Sequence, residues 1–408
     1  MLDPQRIREN PEALKSALKN RNMDSDLAEA FLRVDNAWRE VINEVDTLRA
    51  ELNRLSKERN IEAAKAVKIK IKTGEEALRT LTVERNTRLK ELPNIPSESA
   101  PIGKSEVDNV VIRVHGEPNA KKADYLEIAE RMDLIDINRA GKVAGSRFGY
   151  LKNEAVILEF ALVRYALDMA MAKGFIPVVP PVLVKPEMLV GMGKQKFIKD
   201  EDAFFLEKDN LYLAGSSEHT IGPMHADEVF DDNDMPKKYV GFSTCFRREA
   251  GSYGKDTRGI LRVHQFDKVE LFAFVKPEES DKEHGGLVAL QESLLQGLEL
   301  PYRVVEVVTG DMGFGDIRQF DLETWMPSEN RYRETNSASN TGDYQARGIG
   351  TKYRAADGKP AYVHMLNATA IAIGRIIIAI LENHSQSDGS VTIPKALRSY
   401  TGFDVIRR

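Results

Sequence analysis

The sequence predicts an α+β protein in two parts: an N-terminal antiparallel α-helical coiled-coil hairpin, then a larger domain with a mainly antiparallel β-sheet flanked by helices. Three observations carry that expectation. Apolar residues recur at Leu27, Phe31, Val34, Trp38, Val41, Val45, Leu48, Leu52 and Leu55, in alternating steps of four and three, which is four heptads of a coiled-coil seam. The segment LPNIPSESAPIG, residues 92–103, then ends the helical pattern with three prolines. Beyond it, short stretches of period-two alternation are separated by long polar loops.

The first element has a return partner in Val67, Ile71, Leu78, Leu81 and Leu92, interrupted by Gly74, Arg85 and Arg88. Equal arm lengths place the tip near residues 58–63. A competing tip at Thr73–Gly74 has a Thr73 to Glu76 capping box in its favour but leaves the arms unequal. An arm of about 30 residues projects roughly 45 Å. The 408-residue chain carries a net charge of −5, yet residues 54–90 hold eleven basic against five acidic side chains, a local net of +6. That imbalance favours an arm that grips a polyanion over the alternative, a dimerising coiled coil. Domain limits of 1–100 and 101–408 are expected.

A start that mixes acids and bases excludes a signal or transit peptide, so a cytoplasmic protein is expected. The apolar run 365–381 contains Asn367 and Arg375, which favours a buried core helix over a membrane span. The single cysteine, Cys245, excludes an internal disulfide and a multi-cysteine zinc site and reads as a small apolar strand residue.

In the second domain, residues 153–174 follow a helical pattern, and the paired prolines of FIPVVPPVLV suit an edge or interface strand. In YVGFSTCFRRE, alternation sets Tyr239, Gly241, Ser243, Cys245, Arg247 and Glu249 against Val240, Phe242, Thr244 and Phe246, with the second set expected in the core. A glycine-containing loop, 250–261, with Lys255, Asp256 and Arg258, leads into RVHQFDKVELFAF, where Glu270 sits among large apolar neighbours. The loop fails as a P-loop, because Asp256 follows the lysine. Strand arginines, whose planar forks suit phosphate and carboxylate, are the alternative anion holders. RYRETNSASN, 331–340, reads as a polar loop whose Glu334 and Ser337 are oxygen ligands of the kind Mg²⁺ takes. In NATAIAIGR, Asn367 is expected to cap a helix, Gly374 to allow close packing, and Arg375 to need an anion.

These stretches resemble a known pattern. CFRREAGSYGKDTRGILRVHQFDKVE is similar to motif 2 of class II aminoacyl-tRNA synthetases in the bacterial-type seryl-tRNA synthetase form. LNATAIAIGR with ILENHSQSDGSVTIPKALRSY resembles motif 3 and the tail, KGFIPVVPPVLV motif 1, and SSEHT the serine loop. The resemblance covers almost the whole chain. It implies a class II catalytic domain that activates L-serine with ATP and transfers it to tRNA(Ser), with selenocysteine tRNA a further candidate substrate.

By the same resemblance, Arg247, Glu270 and Arg375 would be the catalytic set. Arg247, Arg248, Glu249, Glu334, Thr335, Asn336, Ser337 and Arg375 would bind ATP, although the residues themselves give Arg248 no role. Ser216, Ser217, Glu218, Arg247, Glu270, Asn367 and Thr369 would bind serine, and Glu334 and Ser337 would hold Mg²⁺ with ATP, with no zinc. Motif 1 would form a homodimer, and Arg54, Lys57, Arg59, Lys65 and Lys68 would meet tRNA across it, with no membrane partner. The chain departs from the family at Ser216 (usually Thr), Ala368 (Gly), Asn336 (Ser) and Ala338 (Cys). Two other readings are an amino acid:carrier-protein ligase, which would lack the arm, and a catalytically silent tRNA-binding paralogue, against which Arg247, Glu270, Glu334 and Arg375 argue.

Overall fold

The computed structural model describes residues 1–120, 122–250 and 258–407. Two compact units, Met1–Ile95 and Pro96–Arg408, divide inside the proline-rich 92–103 segment. The expected loop residues Lys255 and Asp256 lie outside the described residues.

The first unit is helical: α1 (Pro4–Glu9), α2 (Pro11–Asn20), α3 (Asp26–Lys57) and α4 (Ile61–Lys90). Asp3 and Asn10 cap the two short helices by accepting from Gln5 N and Ala13 N, each ahead of a proline at the first helical position. The turn between the long helices is residues 58–60. Asn60 Oδ1 accepts from Ala63 N at 3.2 Å and starts α4. The tip therefore falls where equal arms place it, and Thr73–Gly74 lies inside α4. Gly74 has a different purpose: a Cβ there would come within 2.6 Å of a Val45 methyl, so its absence lets the helices approach.

Trp38 Nε1 donates to Thr82 Oγ1 at 2.9 Å and Arg49 pairs with Glu75 at 2.9 Å, contacts that make the hairpin antiparallel. The α3 seam is thus filled from the same chain. Arg85, an interruption in the sequence pattern, proves to be a core residue. Its Nε donates to Asp35 Oδ1 at 2.6 Å, its guanidinium lies 4.4 Å from the Trp38 ring centroid, and Arg8 reaches the other Asp35 oxygen at 3.1 Å. Asp35 is fully buried, and only two cations make that tolerable. Arg54, Lys57, Arg59, Lys65 and Lys68 are all exposed around the tip.

The second unit is built on an eight-stranded sheet. Its strands are β1 (Val110–His115), β2 (Ile176–Val178), β3 (Lys237–Phe246), β4 (Gln265–Val275), β5 (Tyr302–Glu306), β6 (Arg318–Met326), β7 (Arg331–Asn340) and β8 (His364–Ala372), in the order β1-β5-β6-β7-β8-β4-β3-β2. Every pairing is antiparallel except β2 with β3. The edge strand β2 ends before Pro180 and Pro181, because a proline offers no donor to a ladder. Helices α5 (Glu154–Met171), α6 (Ser280–Gly297) and α7 (Ile373–Asn383) pack with one sheet face, where Val240, Val269, Leu271, Leu366 and Ala368 join the main core. The opposite face carries Gly241, Ser243, Lys268, Glu270, Asn367 and Thr369.

Three expectations need correction. Residues 365–381 are half strand and half helix: β8 runs to Ala372 and α7 begins at Ile373, so Asn367 pairs mid-strand with Phe272 and caps nothing. Residues 331–340 are a sheet strand rather than a loop. In β3 the face expected in the core, Val240, Phe242, Thr244 and Phe246, meets the main core at Val240 and Phe242 but is only half-buried from Phe242 onward, while Gly241, Ser243 and Cys245 on the face expected to be polar are buried. The segment 214–221 roofs that other face: Ala214 O accepts from Phe246 N, and Ser217 and Ile221 close on Gly241. Burial pushes the Cys245 thiol pKa up, as suits a packing residue.

Asp35→Ala would leave Arg85 unpaired inside the hairpin. A loss of about 3 kcal/mol is expected for removing one partner of such a buried pair, read as a shift of the helical circular-dichroism transition in denaturant.

Candidate functional site

Arg247 follows β3, held by its N–H to His264 O at 3.0 Å and by its Nε to Gly215 O at 3.1 Å. Its Nη groups are then the ones left to a cavity of 270 Å³. Glu249, Lys268, Glu334, Thr335, Thr369 and Arg375 line the same cavity. The structure therefore gathers most of the sequence-predicted anion and nucleotide residues around one space. Glu249 sits at φ +52° and pairs with Arg262 Nε at 2.6 Å. Arg375, in the first turn of α7, donates to Glu334 O at 2.6 Å and lies 3.7 Å from its carboxylate.

Arg248 does not line this cavity. Its N–H and Nε donate to Asp202 O at 2.8 Å and Ala203 O at 3.2 Å, and its guanidinium stacks 4.5 Å from the Phe204 ring centroid. It fixes the segment 202–204.

Glu334 and Ser337 are three residues apart, which in a regular strand puts them on opposite faces. A bulge corrects this. Leu322 pairs with Asn336 and Glu323 with Glu334, leaving Thr335 as the extra residue and turning Glu334 to the face of Ser337. A neighbouring irregularity in β8 skips Ala370 just past the regular pair of Thr369 with Glu270. Asn336 joins the two bulges: its Nδ2 donates to Thr369 O at 3.0 Å and Ala370 O at 2.8 Å, while its Oδ1 accepts from Thr335. Asn336 is thus buried among strand carbonyls and is not part of the cavity lining, contrary to its expected contact with ATP. Gln291 of α6, fully buried, adds bonds to Ser337 O at 2.8 Å and Thr369 O at 2.9 Å.

The donors at Glu334 and Ser337 are hard oxygens that suit Mg²⁺. Asp321, opposite Ser337 in the ladder, is half-buried. Burial, reinforced by the charge of Glu334, holds its carboxyl well above the usual range, as a site short of positive charge would. Among the described residues no group of three or more His, Cys, Asp or Glu is placed to hold a metal by itself.

Beneath the cavity lie the expected serine residues. Glu270 is 2% exposed, accepts from Lys268 Nζ at 2.6 Å and from Thr369 Oγ1 at 3.4 Å. Burial raises its pKa and Glu218 adds to the rise, while Lys268 opposes it; the net direction is upward. Ser216 Oγ accepts from Glu218 N at 3.3 Å, and Ser217 Oγ is buried without a partner. Burial would raise the Glu218 pKa too, but its contacts with Lys194 and His219 hold it well below the usual range. Burial drives the His219 pKa down to about 4. Gly215 N–H donates to its Nδ1, so the neutral ring carries its proton on Nε2, facing Glu218. Asn367 and Thr369 share a face of β8, opposite Phe272 and Glu270.

Sequence reasoning missed Lys268 and Lys194, the cations that neutralise these buried carboxylates. Lys268 was readable, since it precedes Glu270 by one strand period. Lys194 comes from a distant turn after Gly193, and nothing local announces it.

An antiparallel sheet that carries arginines and acids on one face and helices on the other is the framework of a class II aminoacyl-tRNA synthetase. Residues 204–384 match the family described as tRNA synthetase class II core domain (G, H, P, S and T), and residues 1–96 match the seryl-tRNA synthetase N-terminal domain. A serine–tRNA ligase of Dictyoglomus turgidum is 42% identical over 100% of this chain and 99% of its own. The crystal structure of seryl-tRNA synthetase from Pyrococcus horikoshii complexed with ATP superposes with a TM-score of 0.95 at 41% identity, covering 100% of this chain and 99% of that one. The cytoplasmic serine–tRNA ligase of Naegleria fowleri in complex with AMP gives 0.90 at 30% identity, over 98% and 96% of the two chains. The chain belongs to the seryl-tRNA synthetase family, and it is an aminoacyl-tRNA ligase.

Lys194→Met is expected to strand the Glu218 carboxylate and lower stability by about 3 kcal/mol. Adding Glu218→Gln should recover part of that loss, because the two changes share one interaction; thermal unfolding of the single and double variants measures the coupling.

Proposed function

We propose that this enzyme activates L-serine with ATP to seryl-adenylate and then charges tRNA(Ser). The observation that carries this reading is the convergence of Arg247, Glu334 and Arg375 on one cavity, directly above the buried Glu270 and Glu218. In the first step a serine carboxylate oxygen attacks the α-phosphorus, and the bond to pyrophosphate breaks. In the second a terminal ribose hydroxyl attacks the carbonyl carbon, the ester forms and AMP leaves, a phosphate oxygen taking the proton. Neither step needs a protein nucleophile, so positioning and charge neutralisation supply the rate.

Arg247 would bridge the α-phosphate and the serine carboxylate, Glu249 would meet the adenosine, and Arg375 the γ-phosphate. Breaking its contact with Glu334 would free Arg375 for that role. Mg²⁺, held by Glu334 and Ser337, would neutralise phosphate charge when ATP is bound. Glu270 and Thr369 would take the serine hydroxyl, while Glu218, Ser216, Ser217 and Asn367 complete the pocket. Lys194 holds the Glu218 carboxylate ionised, and Lys268 opposes the burial that raises the Glu270 pKa.

The exposed tip of the hairpin would grip the tRNA, and the N-terminal domain match over residues 1–96 supports that reading over the armless carrier-protein ligase. We also read the protein as a homodimer, with each arm reaching tRNA held on the partner. Ile157 and Phe160 on α5, with Ile176, Val179 and Leu183 nearby in sequence, leave large apolar side chains exposed around motif 1. No helix among the described residues is long and apolar enough to cross a membrane, and a cytoplasmic enzyme is the reading we favour.

The decisive test is ATP–pyrophosphate exchange with each amino acid in turn. Serine should support it. Alanine should be rejected by roughly 10⁴–10⁵, because it leaves buried polar groups unpaired; exchange with alanine as strong as with serine would overturn the assignment. A second test separates the units. Changing Arg54, Lys57, Arg59, Lys65 and Lys68 together to glutamine should abolish tRNA charging at moderate salt while leaving exchange intact, and equal loss of both would make the arm structural.

A further inference from the structure

We propose that Tyr125 is a positioning residue for nucleotide binding: its hydroxyl ties the segment 258–263, one wall of the Arg247 cavity, to the helix that carries Arg375. The proposal rests on the reading of that cavity as the ATP site. Tyr125 opens the short helix Tyr125–Arg131 and does not itself line the cavity. Its hydroxyl accepts from Ile260 N at 2.9 Å and donates to Arg258 O at a long 3.5 Å. Between those two residues Gly259 has φ +78°, and a Cβ there would come within 1.6 Å of the hydroxyl oxygen. Only glycine admits so close an approach. From the other side, Gly374 brings the start of α7 against the same segment, since a Cβ on it would lie 3.3 Å from Ile260 O.

Helix α7 also fixes the tyrosine. Tyr125 N donates to Glu382 Oε1 at 3.2 Å, and Glu382, 1% exposed, accepts from Ser328 Oγ at 2.7 Å and Ser328 N at 3.0 Å. One helix therefore holds Arg375 in its first turn and, about two turns later, the carboxylate that places Tyr125. Ile260, Leu261, Arg262 and Val263 line the cavity, and Arg262 pairs at 2.6 Å with Glu249, the residue assigned to the adenosine. The Tyr125 ring packs in the main core, a task that a phenyl ring would serve equally. The hydroxyl answers a different need, because Ile260 is 8% exposed and its N–H requires a partner. Burial pushes the Tyr125 phenol pKa up, so the hydroxyl keeps its proton throughout the neutral range. Without it, the Ile260 N–H regains a partner only if the segment moves away from α7 into water. Glu218 and Glu270 of the serine pocket are held by their lysines and not by this segment.

Tyr125→Phe keeps the ring and removes the hydroxyl. Its apparent KM values for ATP and for serine, measured in pyrophosphate exchange, separate positioning from packing. KM for ATP should rise by about fivefold or more, the size of one lost buried hydrogen bond, while KM for serine stays within about twofold of the wild type. An unchanged KM for ATP, or an equal rise in both constants, would overturn the proposal. Should the variant fail to fold, hydrogen–deuterium exchange of residues 258–263 in the free wild type decides instead. Slow exchange before ATP is added supports a segment already held by Tyr125; exchange as fast as at the exposed hairpin tip rejects it. A wild type with no serine-dependent pyrophosphate exchange would instead overturn the reading of the cavity on which the proposal rests.

Discussion

The catalytic unit is organised around two carboxylates that the fold buries side by side. Glu218 and Glu270 are 6% and 2% exposed, and each raises the cost of ionising the other. Isolated charges at such depth would simply take up protons. Here each has a lysine, Lys194 for Glu218 and Lys268 for Glu270. The arrangement fixes much else. It requires β4 to present Lys268 and Glu270 on one face, it requires the roof segment 214–221 to close over β3, and it requires the turn after Gly193 to deliver its lysine from outside the sheet. A pocket lined this way is nearly neutral when empty, so a zwitterion can enter without a large electrostatic penalty.

The second constraint is geometric. A regular strand alternates its side chains, and Glu334 and Ser337 would lie on opposite faces in a sheet of perfect register. A bulge at Thr335 brings them to one face, a neighbouring irregularity skips Ala370 just past the Glu270–Thr369 pair, and Asn336 and Gln291 hold both in place through backbone carbonyls. The Asn336 side chain donates twice, to Thr369 O and Ala370 O, and accepts once, from Thr335 Oγ1. It stiffens the part of the sheet that aims Thr369 at Glu270, without touching the cavity.

Much of this was legible before any coordinates. The a/d seam of α3 is a long, strictly periodic signal, and periodicity survives whatever the rest of the chain does. The strand that leads into Arg247 and its partner carrying Glu270 were readable for the same reason. Legibility failed where a tertiary partner decides the outcome. Arg85 looked like a break in the α4 seam because its counter-ion, Asp35, lies fifty residues away. The run 365–381 is apolar throughout, and hydrophobicity alone does not distinguish a strand buried in a sheet from a helix buried beneath it. Bulges leave no pattern in one sequence, so the loop reading of 331–340 had no internal contradiction to expose it. Lys194 is set by the path of a turn, which composition does not encode.

Charge is divided between the units in a way that bears on how a polyanion would be handled. The chain carries −5 and residues 54–90 carry +6, so all other residues together carry −11. A long anionic partner is therefore repelled by most of the surface and attracted at the exposed hairpin tip and at the arginines of the cavity. Such a field orients an approaching nucleic acid before any specific contact forms, and it does so over roughly the Debye length, about 8 Å at physiological salt. The acidic majority gives a second effect: it weakens non-specific adhesion of other nucleic acids along the catalytic unit.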